Sequence, residues 1–144
     1  RYLCSMNTNK DIEIRPQEGF QMSFASSNVD VVFGGGNLGG GKSYGLVLAM
    51  AEPLMTDPDF RAMISRRSLG NQKAGGGFVE KFKQIFGADF VKIRESENPR
   101  VTFPNGTFVD LTYLDDSNMD KLRERAKGWE YDLIAIDELT EMTW

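Results

Sequence analysis

Histidine is absent from this chain, and cysteine occurs once, at Cys4. Without an imidazole, any general base must be a carboxylate or a lysine. One thiol excludes a disulfide framework, and with no histidine it also excludes an ordinary Cys/His zinc site. A reducing, cytoplasmic setting fits that usage. No apolar run approaches the roughly 20 residues a membrane helix needs. The first residues lack the basic, apolar and small-residue order of a secretory signal. Excess positive charge is also lacking: the formal net charge is −4. That argues against broad electrostatic binding to nucleic acid by these residues alone. Basic residues do cluster at Arg61–Arg67 and Lys121–Lys127, and acids near Asp115–Asp120 and at the C-terminal end. The Lys121–Lys127 cluster reads equally as a DNA contact or as a solvated helix face.

What is present suits about one domain in 144 residues, with Phe, Leu, Val and Met spread along the length. Residues Arg1–Ile14 read as a polar lead-in. Arg15-Pro16 opens a short helix candidate, with Phe20 and Phe24 at i,i+4 spacing. Val29–Phe33 is a β-branched run bounded by Asn28 and glycines, which predicts a buried strand. Lys42–Met55 is apolar at helical spacing, and Pro53 is expected to end or bend it. Further strands are expected at Arg61–Ser65, Phe90–Ile93, Val101–Phe103, Phe108–Leu114 and Leu133–Ile136. Helices are expected at Phe78–Phe86, stopped by Gly87, and at Met119–Ala126. Pro104-Asn105-Gly106 marks a tight turn. Strand, glycine loop, helix and later buried strands form an α/β pattern, with the Val101–Leu114 hairpin inserted into it.

Gly36-Asn37-Leu38-Gly39-Gly40-Gly41-Lys42-Ser43 fits G-x-x-x-x-G-K-[ST]. Each part has a physical reason. Gly36, Gly39, Gly40 and Gly41 let the backbone approach oxygen atoms closely at positive φ. Successive N–H groups then form an anion nest, and the following helix adds the positive end of its dipole. Lys42 brings an ammonium to the β- and γ-phosphates, and the Ser43 hydroxyl can ligate Mg²⁺. The competing reading is a surface loop matching by chance. The flanking strand and helix candidates weigh against it.

About 95 positions later, Leu133-Ile134-Ala135-Ile136 ends in Asp137-Glu138. In a nucleotide hydrolase such a pair divides the work, with Asp137 holding Mg²⁺ and Glu138 polarising the attacking water. Two acids also suit a solvated strand end. A phosphoryl-transfer site further needs a cation, and Arg66, Arg67, Arg123 and Arg125 are candidates. Each reads equally as a surface charge. Gln21 can accept from an adenine N6 amine and donate to N7, with Gln17 as the alternative. Gln21 can also be simply a polar position on an amphipathic helix.

The order of these motifs resembles the large subunit of bacteriophage terminases. Gln21-Met22-Ser23-Phe24 precedes Val31–Gly36 and the Gly39–Ser43 loop. Phe103-Pro104-Asn105-Gly106 follows, then Gly128–Thr140 with Tyr131-Asp132 and Asp137-Glu138-Leu139-Thr140. The resemblance runs from about Arg15 to Trp144. It implies a P-loop NTPase of the ASCE type, a mainly parallel sheet flanked by helices, represented here by an incomplete domain. It implies an ATP- and Mg²⁺-dependent motor, transiently on the procapsid portal in the host cell cytoplasm, that drives double-stranded DNA into the procapsid. Its implied partners are the portal protein, the small terminase subunit and further copies in a ring. A C-terminal nuclease domain would lie beyond Trp144, as would the motif coupling hydrolysis to movement, so weak turnover is expected of the chain as it stands. On matching positions, Gln21 reads adenine, Lys42 and Ser43 hold phosphate and Mg²⁺, Asp137 holds Mg²⁺ and Glu138 is the catalytic carboxylate. Arg125, then Arg123, would act on a neighbouring subunit's ATP. Many members carry an arginine inside the loop where this chain has Asn37-Leu38, so that charge must come from elsewhere. A helicase or recombination motor, or a non-hydrolysing nucleotide-binding module, would share the loop; Glu138 speaks against the last.

Overall fold

The computed structural model describes residues 15–27, 29–35, 41–66, 77–94, 99–113, 127–128 and 130–138. They form an α/β fold of three helices and five strands. In chain order these are α1 (Phe20–Ala25), α2 (Lys42–Thr56), β1 (Arg61–Arg66), α3 (Phe78–Phe86), β2 (Lys92–Arg94), β3 (Arg100–Thr102), β4 (Phe108–Tyr113) and β5 (Leu133–Ile136). The helix expected at Met119–Ala126 lies outside the described residues. No helix among the described residues is long and apolar enough to cross a membrane.

The strands form one sheet in the order β2-β3-β4-β1-β5. β1 lies between β4 and β5 and runs parallel to both. β2, β3 and β4 are antiparallel neighbours. The sheet is therefore mixed: β4, β1 and β5 form a parallel centre, and the hairpin partner β3 with β2 adds an antiparallel side. One face is apolar: Ala62, Ile64, Val101, Val109, Leu111 and Ala135 are buried in a single cluster with Val47, Met50 and Leu54 of α2 and Phe78, Phe82 and Phe86 of α3. Alternate strand residues share a face, which is why every second position contributes.

α2 starts directly after Gly41, whose φ of 66° is left-handed. An L side chain there would cost about 1–2 kcal/mol. Pro53 does not end this helix, which continues to Thr56. Proline in the last turn forfeits one backbone bond. The turn is supported instead by the Thr56 hydroxyl donating to the Glu52 carbonyl (2.9 Å) and the Asp57 N–H donating to the Pro53 carbonyl (3.0 Å). The Leu54 carbonyl, one of the four that a helix leaves without an internal partner, accepts from Asn105 Nδ2 and Thr107 Oγ1, both at 2.8 Å. The hairpin turn thus caps α2. Gly106 holds that turn with φ 94° and donates its N–H to the Phe103 carbonyl at 3.0 Å.

One expectation fails. Val29–Phe33 is not a buried strand: Val31 is 68% exposed and Phe33 82%. Its composition matches a sheet interior, but a strand exists only through a ladder. No strand among the described residues pairs with this run. Among the described strands β5 lies at an edge of the sheet, with Ile134 and Ile136 exposed.

The other face carries a polar cluster. Arg100 and Asp110 are cross-strand partners joined by two hydrogen bonds, 2.6 and 2.7 Å. The Tyr131 hydroxyl donates to Asp110 Oδ2 at 2.9 Å, and the Arg100 guanidinium lies 3.8 Å from the Phe108 ring centroid. Burial, and then the bond to Asp110, push the Tyr131 phenol up to about 12.

Two expectations follow. Phe86 meets Phe103 edge-to-face at 4.9 Å and 88°, so Phe86→Ala should destabilise the protein by about 3–5 kcal/mol in urea unfolding; a loss under about 1 kcal/mol would contradict this packing. Tyr131 ionises at higher pH folded than unfolded, so the unfolded state releases its proton first as pH rises from about 10. Stability should fall between about pH 10 and 12. Tyr131→Phe should flatten that part of the pH–stability curve.

Candidate functional site

Parallel strands end on the same edge of a sheet, and β1 and β5 put their last residues side by side there. The register pairs Ser65 with Ile136, and the Asp137 N–H donates to the Ser65 carbonyl at 2.9 Å. At the other end of β5, the Asp132 N–H donates to the Arg61 carbonyl (2.9 Å) and the Arg61 N–H to Asp132 Oδ2 (2.8 Å). β5 is thus fixed in register at both ends. A slip of one residue would reverse which side chains face the core.

Two groups distant in sequence meet at this edge. Ser43, in the first turn of α2, donates its hydroxyl to Asp137 Oδ2 at 2.9 Å across 94 positions. Asp137 is almost fully buried. Its other neighbour is Arg66, the last residue of β1, whose Nη2 lies 3.2 Å from Asp137 Oδ2. The same Nη2 donates to Glu138 Oε1. One guanidinium therefore bridges both acids. Arg66 also faces the Phe78 ring at 5.8 Å, and Lys81 faces that ring at 5.7 Å. The Lys81 ammonium is held below its ordinary value, first by burial and then by the Arg66 charge; Asp137 and Glu138 oppose that shift. Two cations and two carboxylates thus share one pocket of charge.

Glu138 has φ 57°, the one non-glycine residue at positive φ among those described. A backbone of that kind costs on the order of 1–3 kcal/mol and persists where surrounding contacts over-determine it. Here the β1–β5 ladder fixes Asp137, and Arg66 takes the Glu138 side chain.

Gln21, Gly41, Lys42, Ser43, Asp137 and Glu138 lie within the described residues. Gly36, Gly39, Gly40, Arg67, Arg123 and Arg125 lie outside them. Gln21 is buried against Gly41, which is joined directly to Lys42 at the start of α2. Of the four arginine candidates, Arg66 is the one within the described residues, and it stands against the acids. Lys81 and Phe78 went unmarked in the sequence. Their signal is the i,i+3 spacing that places them on one face of α3, which identifies a site only once β1 is known to end beside β5.

Among the described residues, no group of three or more His, Cys, Asp or Glu side chains gathers to hold a metal ion. The Ser43 hydroxyl and Asp137 carboxylate are hard oxygen donors in contact. That set suits Mg²⁺, which takes few protein ligands and completes its shell with water and phosphate oxygens. In comparisons with protein-family models, curated proteins and solved structures, the chain matches none.

Arg66 separates two acids, one of them nearly fully buried, so Arg66→Leu should cost about 3–5 kcal/mol of stability at neutral pH, the range for breaking a buried ion pair. Arg66→Lys should recover only part of it, since an ammonium lacks the planar fork. Denaturant unfolding of both variants checks this. A silent Arg66→Leu would mean that the arginine does not bridge the acids in solution.

Proposed function

We propose that this chain binds and hydrolyses ATP, as the ATPase portion of a phage terminase large subunit with a P-loop NTPase fold. The observation that carries the hydrolase reading is the Ser43–Asp137 hydrogen bond. It joins the end of the glycine loop to the acidic strand end, the two groups a nucleotide hydrolase must bring together. The terminase reading rests in addition on the motif order from Gln21 to Thr140.

The roles follow from each group's chemistry. The backbone N–H groups at the start of α2, with the Lys42 ammonium, would hold the β- and γ-phosphates. Ser43 and Asp137 would hold Mg²⁺, which when bound neutralises charge on the phosphate oxygens. Glu138 would orient a water molecule and take its proton as the water oxygen bonds to the γ-phosphorus and the bond to the ADP oxygen breaks. Arg66 keeps the Glu138 carboxylate in a defined place, which matters because a small displacement of a catalytic group costs rate steeply. An arginine from a neighbouring subunit, Arg125 first and Arg123 second, would supply further positive charge. Double-stranded DNA, the portal protein and the small subunit are the partners this reading implies, with a ring of copies around the DNA.

Equilibrium binding of Mg²⁺-ATP and single-turnover hydrolysis, measured together, test it. Glu138→Gln should retain ATP affinity within about threefold while hydrolysis falls by about 10²-fold or more. Lys42→Ala should weaken ATP binding itself. Removal of Mg²⁺ by a chelator should abolish turnover in the wild type. Unchanged turnover in both variants would overturn the assigned roles.

A further inference from the structure

Gln21 is polar, yet it is 4% exposed, while its neighbours Met22 and Ser23 on α1 face solvent. Both ends of its amide are engaged within the protein. Oε1 accepts from the Gln17 N–H at 3.0 Å, and Nε2 donates to the Gly41 carbonyl at 3.2 Å. That carbonyl also accepts the Gly45 N–H at 2.8 Å, the first backbone bond of α2. A Cβ on Gly41 would lie 2.2 Å from Gln21 Nε2, and a Cβ on Gly45 would lie 3.5 Å from Gln21 Cγ. Gly41 thus makes the room in which this side chain sits, whereas a side chain at Gly45 would meet it only in ordinary contact. Gly41 therefore has two reasons to be glycine: its left-handed φ and the amide pressed against it.

We propose that Gln21 is a positioning residue for the triphosphate subsite, fixing the left-handed Gly41 and with it the backbone direction at Lys42, and that it acts on the phosphates of any nucleotide rather than on the base. This rests on the triphosphate reading given above. A base-reading amide must turn both its oxygen and its nitrogen to the ligand. The Gln21 amide turns its oxygen to the Gln17 N–H, just before α1, and its nitrogen to the loop's last glycine, in a buried setting where leaving either bond unmade is costly. The amide instead couples α1 to the point where the loop becomes a helix.

The test compares Mg²⁺-ATP, Mg²⁺-GTP and Mg²⁺-tripolyphosphate binding by calorimetry to the 144-residue chain and to Gln21→Met, which keeps length and packing but removes both hydrogen bonds. All three ligands should weaken by a common factor of about three- to tenfold, the usual worth of one or two hydrogen bonds, in a variant whose melting temperature shows that it folds. A loss confined to ATP would show that Gln21 reads adenine and would overturn the proposal while leaving the ATPase reading intact. No loss for any ligand would overturn it as well. A wild type that binds none of the three would remove the triphosphate reading itself. A second measurement needs no variant: the side-chain amide resonance of Gln21 in the wild type should shift alike with ATP and tripolyphosphate, and a shift with ATP alone would contradict the proposal.

Discussion

The hydrogen bond from Ser43 to Asp137 is the contact on which the candidate site depends. It spans most of the chain and closes a long loop, an entropic cost that grows only slowly with length. That closure is supported by the β1–β5 ladder, which brings the Asp137 end of β5 beside the Arg66 end of β1. The helix start and the strand end therefore reach one another because the apolar face of the sheet packs against α2. The polar and charged groups at the sheet edge are positioned by burial in the middle of the fold.

Charge balance is the second constraint. Asp137 is nearly buried and Glu138 adjoins it, so two like charges would repel without a cation between them. Arg66 bridges them, with Lys81 close enough to feel all three. Phe78 faces both cations, giving them a ring face while limiting the water that would screen them. The strained backbone at Glu138 sits where those contacts converge. Strain of this kind at a carboxylate just beyond the end of β5 is the kind of backbone outlier that clusters at functional sites.

Much of this was legible in the sequence, and the remainder for identifiable reasons was not. β5 and α3 have the bounds their patterns predict, because four apolar residues ending in two acids and an amphipathic run stopped by Gly87 are local signals. The Pro-Asn-Gly turn was equally readable, though its capping of the Leu54 carbonyl was not, since Asn105 and Leu54 are 51 residues apart. Val29–Phe33 misled because an apolar run reports hydrophobicity but not a neighbour to pair with. Arg66 could be named only as one of four arginines, since its position against Asp137 and Glu138 follows from β1 lying beside β5, and strand order is not a local property. Pro53 lies in the last turn of α2 without ending it, because its cost depends on which turn of the helix it occupies.

The central claim is that the helix start and the strand end form one divalent-cation site. A double-mutant cycle of Ser43→Ala and Asp137→Asn, read as the gain in ATP affinity on adding Mg²⁺, tests it most directly. Either substitution alone should remove most of that gain, and the pair should remove little more. Independent, additive losses, or a gain that survives both substitutions, would contradict the account.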